Sequence, residues 1–239
     1  MTDMRLPLYQ RLRDDMLARI AAGDWAPGTA IPTEAELTKY YGVAVGTLRR
    51  AVETLVQDGL MERSQGRGTF IRRPNFDGSL FRFFRHVDSQ GERRVPTGRV
   101  MVRHEESAGR RVADALGLEE GASVVYLERV RQIDGQTIFH EQIWLDTRRF
   151  APLLTVDPAD FGNLLYPFYE QQCGQLIGAA EETLSVATAS QAMADRLSID
   201  PGQPVIVIER IAKGYDATPL EFRRSTGDAG PFRYRVDIT

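Results

Sequence analysis

Apolar residues recur every three or four positions in three stretches between Leu8 and Asp58. The first stretch, 8–22, predicts a helix ended by the glycine that follows. A shorter helix is predicted to begin after Thr33, which would act as its N-cap, with Glu36 completing a capping box. The third stretch, 45–58, has one apolar face and predicts a helix that stops at the next glycine.

Residues 60–71 have a different pattern, with two short strand-like runs on either side of a glycine-rich tip around residues 64–68. This pattern predicts a β-hairpin. The predicted order is helix, helix, turn, helix and hairpin, which is the order of a winged helix-turn-helix. We therefore expect a DNA-binding domain of this kind over residues 1–75.

An internal repeat organises the second half of the chain. Residues 113–130 align with residues 194–211 at a constant offset of 81, and seven of the 18 positions are identical. Each copy is predicted to form a helix, a glycine turn, an apolar strand ending in Glu-Arg and a second strand. Because the helices are followed by hairpins, we expect an α+β domain over residues 98–239, mainly antiparallel, in which two half-domains build one sheet with a cleft between them.

Residues 76–97 are polar and rich in turn-forming residues, apart from the aromatic segment 80–84. We interpret this stretch as a linker. The aromatic segment is expected to dock on the second domain or on a partner chain.

Composition indicates a globular cytoplasmic protein. The 239 residues are 42% hydrophobic and 26% charged, and no apolar run approaches the ~18 residues of a membrane-spanning helix. The N-terminus lacks the apolar core of a secretory signal, and the single cysteine excludes an intramolecular disulfide. One cysteine and three scattered histidines also argue against a zinc site, so we expect no metal and no cofactor.

The net charge of −3 is unevenly distributed along the chain. Residues 1–75 hold 11 basic and 9 acidic side chains, whereas residues 76–239 hold 19 basic and 24 acidic ones. Residues 46–75 alone carry six arginines against three acids. Any nucleic-acid surface must therefore be a local basic patch in the first domain.

The third predicted helix has the features of a recognition helix. Its N-terminal half would present Thr47, Arg49 and Arg50 outward, where such a helix meets base edges and phosphates. Arginine pairs bidentately with guanine, and Arg67 at the hairpin tip suits the minor groove or adjacent phosphates. The alternative is a solvated arginine face on an ordinary helix, but the surrounding winged-helix pattern favours DNA binding.

Two arginines in the second domain stand out. Arg129 and Arg131 are two positions apart on a predicted strand and therefore point to one face, which is otherwise apolar. Such a pair is costly unless an acid or a bound anion neutralises it. The residues alone leave two interpretations open: a structural pairing with Glu128, Glu141 or Glu209, or the binding of an anionic ligand through guanidinium forks.

The orientation of Glu141 depends on the turn at residues 134–135. A two-residue turn places Glu141 opposite Glu128, on the side away from the arginines. A three-residue turn with a glycine bulge places Glu141 opposite Leu127, on the arginine face. Ligand binding by Glu141 requires the bulge, and the sequence does not choose between the two registers.

Short motifs along the chain match two known families. The N-terminal motifs are Leu8-Tyr9, Gly23-Asp-Trp-Ala-Pro-Gly28, Ile31-Pro-Thr-Glu-Ala-Glu-Leu37, Tyr41-Gly-Val43, Thr47-Leu-Arg-Arg-Ala51, Leu55-Val-Gln-Asp-Gly-Leu60 and Gly66-Arg-Gly-Thr-Phe70. From Leu8 to Phe70 they resemble the GntR winged-helix repressors. The later motifs are Glu128-Arg-Val-Arg131, Asp134-Gly135, Glu141, Pro219-Leu-Glu221 and Arg233-Tyr234. They resemble the UTRA effector domain of the HutC-type branch, whose fold is shared with chorismate lyase.

The resemblance implies roles for individual residues. The DNA-binding set that it implies is Thr33, Thr47, Arg49, Arg50, Arg67 and Thr69. The effector-binding set that it implies is Arg129, Arg131, Glu141, Tyr166 and Glu221.

The chain departs from these families at three positions. Ala44 and Val45 stand where the GntR family usually has Ser or Thr and often a basic residue, so base discrimination would depend more on Arg49, Arg50 and the wing. Leu164 stands where some sugar-phosphate-binding members have serine, which favours a less hydroxylated anion.

These observations predict a DNA-binding transcriptional regulator, expected to be a repressor, whose operator affinity is controlled by a small anionic metabolite. Its expected partners are a pseudo-palindromic double-stranded operator, a carboxylate- or phosphate-bearing metabolite and a second copy of the chain as a homodimer; no membrane is expected. The alternative is an enzyme of the chorismate lyase-like fold that acts on a small carboxylic acid. Fold similarity alone does not carry function.

Overall fold

The computed structural model describes residues 6–73 and 96–232. The chain divides into two units, of which the first comprises residues 1–74, 176–179 and 213–218 and the second comprises the remainder. Most of the predicted linker, with its aromatic segment 80–84, lies outside the described residues, as does Arg233-Tyr234.

The first unit contains the predicted winged helix-turn-helix. Its elements are α1 (Leu8–Ala21), α2 (Glu34–Tyr41), α3 (Val45–Gln57), β1 (Met61–Ser64) and β2 (Gly68–Ile71). The apolar stripes of the three helices meet in one core that includes Met16, Ile20, Leu48 and Leu55. The predicted capping box is confirmed, because the Thr33 hydroxyl accepts from the Glu36 N–H while the Thr33 N–H donates to the Glu36 carboxylate.

The second unit is built around a six-stranded antiparallel sheet in the order β3-β4-β5-β8-β7-β6. The strands are β3 (Thr97–Ser107), β4 (Ser123–Ile133), β5 (Gln136–Asp146), β6 (Ile177–Thr188), β7 (Pro204–Gly214) and β8 (Pro219–Asp228). The helices are α4 (Arg110–Leu116), α5 (Thr147–Phe150), α6 (Leu165–Cys173) and α7 (Gln191–Leu197), with two 3-10 turns between α5 and α6.

The repeat seen in the sequence corresponds to the two halves of this sheet. The bounds of α7 and β7 are those of α4 and β4 shifted by the offset of the repeat. The strand order places β3-β4-β5 on one side and β8-β7-β6 on the other, so β5 and β8 meet at the centre. The prediction that two half-domains build one sheet is confirmed.

The β4–β5 hairpin corrects both predicted registers. Asp134 and Gly135 have φ values of +50° and +79° and form a two-residue turn. The register then shifts beyond Gln132, so that Ile138 is the extra residue of a bulge and Glu141 pairs with Arg129. Glu141 therefore lies on the arginine face, as ligand binding requires, but the bulge is in the strand and not in the turn.

Candidate functional site

The two arginines of the recognition helix diverge. Arg49 donates from Nε and Nη2 to one carboxylate oxygen of Glu34, both at 2.8 Å. The Arg50 guanidinium lies over the ring of Tyr9, 4.2 Å from its centroid. Both arginines are exposed, but Arg49 faces α2 and Arg50 faces α1. Ala44 is the N-cap residue of this helix and supplies no side-chain cap.

A groove of about 840 Å³ lies between the start of α2, helix α3 and the β1–β2 hairpin, which is the wing of this domain. Of the predicted DNA-binding residues, its lining includes Thr33, Arg49, Arg67 and Thr69. Arg63, an exposed residue of β1 that was not predicted from the sequence, also lines the groove. Because the lining contains several arginines and a hairpin tip, its chemistry suits a nucleic-acid backbone.

Not every predicted DNA contact lies in this groove. Thr47 and Arg50 are outside its lining. The Thr33 hydroxyl is already engaged, because it donates to Glu36 Oε2 at 2.7 Å and accepts from the Glu36 N–H at 3.3 Å. The structure thus gives Thr33 a role in starting α2, and its contact with DNA stays a prediction.

The second candidate site is a cluster of buried charges on one face of the six-stranded sheet. Its buried members are Arg129, Arg131, Glu141, Arg210, Glu221 and Arg223. Strand alternation brings them together: Glu141 pairs with Arg129 on one side and with Ser225 on the other. Four guanidinium groups therefore face two fully buried carboxylates.

Glu221 is saturated with hydrogen bonds. Arg223 donates to its two oxygens from Nε at 3.0 Å and from Nη2 at 2.8 Å. The hydroxyls of Tyr166 and Tyr169 donate to the same two oxygens at 3.2 Å and 2.8 Å. Four donors match the capacity of a carboxylate, so Glu221 serves as a structural anchor.

Glu141 is held more loosely. Its contacts with Arg129 Nη1, Arg223 Nη1 and Ser225 Oγ are 3.4, 3.5 and 3.4 Å long. Burial alone would raise the pKa of the Glu141 carboxyl, but the guanidinium groups of Arg223, Arg129 and Arg131 outweigh it and hold that pKa below its usual range. Glu141 is therefore ionised at neutral pH, with room for shorter hydrogen bonds.

The protein binds two of the three nitrogens of the Arg129 guanidinium, whereas its buried Nε has no hydrogen-bond partner among the described residues. Its Nη1 contacts Glu141 and its Nη2 donates to the backbone carbonyl of Asn163. The guanidinium lies against Gly98, where an added Cβ would overlap Nη2. Burial lowers the pKa of Arg129, which Glu141 partly offsets. This arginine thus fits the structural interpretation that the sequence had left open.

Arg131 fits the other interpretation. Its side chain is 4% exposed, and its one hydrogen bond among the described residues is to the carbonyl oxygen of Pro96 at 3.4 Å. Within those residues no carboxylate lies at ion-pair distance, and its partners across the two neighbouring strands are Gly98 and Phe139. Burial lowers the pKa of Arg131 to about 10, so it stays charged at neutral pH. A buried guanidinium with no carboxylate at hydrogen-bond distance has donors left for an anion, and binding of an effector by Arg131 stays a prediction.

Tyr166 lies beside this cluster, as the resemblance implied. Its hydroxyl accepts from Arg210 Nη1 at 3.1 Å, and the Arg223 guanidinium lies 5.6 Å from its ring centroid. Arg210 is also bound by Glu182, whose Oε1 accepts from Nε at 2.7 Å. Burial raises the pKa of Tyr166, and that of Tyr169 well above its usual value. Both tyrosines therefore act as hydrogen-bond donors.

The structure brings all five predicted effector residues to one region. Those that sequence reasoning missed are Tyr169, Glu182, Arg210, Arg223 and Ser225. The repeat could have found Arg210, which occupies the position of Arg129 in the second copy. Arg223 had no such signal, because its position depends on the pairing of β5 with β8. Whether these residues contact an effector stays a prediction.

Membrane spans and metal clusters are both missing from the described part of the chain. No helix there is long and apolar enough to cross a bilayer. No group of three or more potential ligands there is arranged to hold a metal ion.

Comparison with known proteins places both regions in described families. The model of the gntR family of bacterial regulatory proteins matches residues 8–71, and the UTRA domain model matches residues 91–233. The mannosyl-D-glycerate transport/metabolism system repressor MngR of Escherichia coli is 26% identical over 233 residues, with 96% of this chain and 95% of that protein covered. The histidine utilization repressor of Pseudomonas aeruginosa is 29% identical over 207 residues, with 85% and 80% covered.

Solved structures agree with this assignment. The ligand-binding domain of a GntR-family transcriptional regulator from Bordetella bronchiseptica matches with a TM-score of 0.56 at 26% identity, covering 60% of this chain and 92% of that one. PhnF from Mycobacterium smegmatis matches with a TM-score of 0.54 at 23% identity, covering 98% and 99%, and shows the same fold.

Proposed function

Because the chain belongs to the GntR family of bacterial regulatory proteins, in its UTRA-containing, HutC-type branch, we propose that it is a transcriptional repressor whose operator affinity is controlled by a small anion. The named relatives that cover most of the chain are transcriptional repressors, so the enzyme alternative is rejected. The observation that carries the effector part of the proposal is Arg131, a buried cation to which no carboxylate among the described residues is hydrogen-bonded.

The DNA-binding part is supported by the arginine-lined groove of the first unit. One winged helix reads a short half-site, so we propose that a homodimer binds a pseudo-palindromic operator in the cytoplasm. Selection of bound duplexes from a random-sequence library tests this. Enrichment of a two-fold sequence, bound by two protomers in light scattering, is the expected result. A monomer at micromolar concentration with and without DNA would contradict the homodimer.

The effector part is supported by the balance of the cluster. Glu221 has no capacity left for a ligand, whereas Arg131 lacks a carboxylate among the described residues and Glu141 has only long contacts there. A carboxylate or phosphate group would bind Arg131, and a hydroxyl or amino group of the same ligand would donate to Glu141. The half-exposed Leu164, in place of a serine, favours an anion with few hydroxyls.

Thermal unfolding in the presence of small carboxylates and phosphates tests the effector part. A ligand bound by the native state raises the midpoint of wild-type protein. Arg131→Met should lose this shift, yet should keep its fold without ligand, as checked by circular dichroism, since the buried side chain is replaced by an apolar one and no hydrogen-bonded carboxylate loses its partner. The matched control is Arg110→Met, whose side chain is 85% exposed and which should respond as wild type does. An undiminished shift in Arg131→Met would contradict the assignment.

A further inference from the structure

The groove of the first unit contains an acidic side chain among its basic ones. Its lining includes the arginines Arg49, Arg63 and Arg67, and among the described residues Glu34 is the only carboxylate in that lining. Glu34 lies in the first turn of α2, next to the N-cap. A negative charge at this place opposes the approach of any phosphate backbone, so it weakens DNA binding that depends on charge alone.

The same carboxylate occupies one side of a recognition arginine. Glu34 Oε2 accepts from both Nε and Nη2 of Arg49 at 2.8 Å. A guanidinium has five N–H groups, so one Nη2 hydrogen and both Nη1 hydrogens remain for another partner. These hydrogens form the end-on fork that matches O6 and N7 of guanine. The side chains of Arg49 and Glu34 are 60% and 45% exposed, so this fork is accessible in the groove.

We propose that Glu34 is a specificity-determining positioning residue for DNA recognition. It holds Arg49 with its fork directed outward and disfavours complexes in which Arg49 would only contact a phosphate. A complex with operator DNA retains the Glu34–Arg49 pair and gains the base contact. A complex with other DNA must break the pair or leave the Arg49 fork without a partner. This inference rests on the proposed DNA-binding function.

The competing interpretation is an ordinary surface ion pair. Exposed pairs of this kind contribute little to stability and need have no effect on binding. The two interpretations differ in the ratio of affinities for correct and incorrect DNA. A surface pair leaves that ratio unchanged, whereas a positioning residue changes it through Arg49.

The test compares a duplex that the wild-type protein selects from a random library with a shuffled duplex, at several salt concentrations. Glu34→Gln should bind the shuffled duplex more tightly and with a salt dependence steeper by about one phosphate contact. The ratio of the two affinities should fall about tenfold, the effect expected from one poorly positioned base contact. Asp58→Asn at the far end of α3 removes the same charge outside the groove and is the matched control.

A double-variant cycle shows whether Glu34 acts through Arg49. In an Arg49→Ala background, Glu34→Gln should no longer change the affinity ratio. An unchanged affinity ratio in Glu34→Gln, or an equal fall of the ratio in Glu34→Gln and Asp58→Asn, with the wild type selective and both variants folded by circular dichroism, would overturn the inference alone. A wild-type protein that enriches no sequence would overturn the proposed function and this inference together.

Discussion

At the scale of single residues, two neighbouring arginines show how local pairing decides a role. Arg129 and Arg131 share a strand face, as predicted, but Arg129 lies across from Glu141 and Arg131 lies across from Phe139. The bulge at Ile138 causes this difference. The sequence could predict the shared face from strand alternation. It could not predict which arginine meets the acid, because the position of the bulge is set by packing of the whole hairpin.

The recognition helix gives one prediction at this scale. Arg49→Ala should reduce the preference for the selected operator about 5–150-fold, because it removes a base contact worth about 1–3 kcal/mol. The fold should survive, since the side chain is exposed and, among the described residues, bonds only Glu34. A gel-shift titration with selected and shuffled duplexes measures the effect, and unchanged affinity and preference would contradict the assignment.

Glu141 gives a second prediction, on pH dependence. Its pKa is lower in the folded protein than in the unfolded chain. The stability that it contributes is therefore fully present above its unfolded pKa of about 4.3 and is lost as the pH falls through its folded value. Glu141→Gln should lower stability at neutral pH by about 3–5 kcal/mol, because it leaves buried guanidinium groups without their partner.

Urea unfolding between neutral and acidic pH checks this prediction. The loss of stability below pH ~4.3 should be shallower in Glu141→Gln than in wild type. Glu120→Gln, at an exposed position, should keep the wild-type slope. Equal slopes in all three proteins would show that Glu141 does not titrate as described.

At the scale of elements, the repeat made half of the sheet predictable from the other half. The shared helix-turn-strand pattern predicts α4, β4, α7 and β7, because both copies fill equivalent places in one sheet. The pattern also predicts the second strand of each copy, β5 and β8, but not the bounds of these strands, because their turns differ and the bounds are not related by the offset of the repeat. Arg223 lies on β8, so its place in the cluster required the structure.

The contact between β3 and β4 gives a prediction at this scale. Gly98→Ala should displace the Arg129 guanidinium, because the new Cβ would overlap Nη2. Overpacking of this kind costs about 1–3 kcal/mol. Gly162→Ala meets no atom within 4 Å and should be tolerated. Thermal unfolding of both variants measures this difference in stability. Equal unfolding midpoints would show that the Arg129 side chain can move without a loss of stability.

At the scale of the whole molecule, the proposed function joins a DNA-reading unit to an anion-binding one. The winged helix was predictable almost element by element, because caps, glycines and apolar stripes are local signals. The buried cluster was predictable only in part, since it is assembled from four strands that are distant in the sequence. Control of operator affinity by an anion requires a coupling free energy between the two units, which is reciprocal.

Reciprocal binding is the measurement that tests this central claim most directly. Operator affinity is measured with and without saturating effector, and effector affinity with and without operator, for wild type and Arg131→Met. We expect the same factor in both directions for wild type, about 5–150-fold, and no change in operator affinity for Arg131→Met on adding the effector. Equal operator affinity with and without effector in wild type, or an undiminished response in Arg131→Met, would contradict the claim.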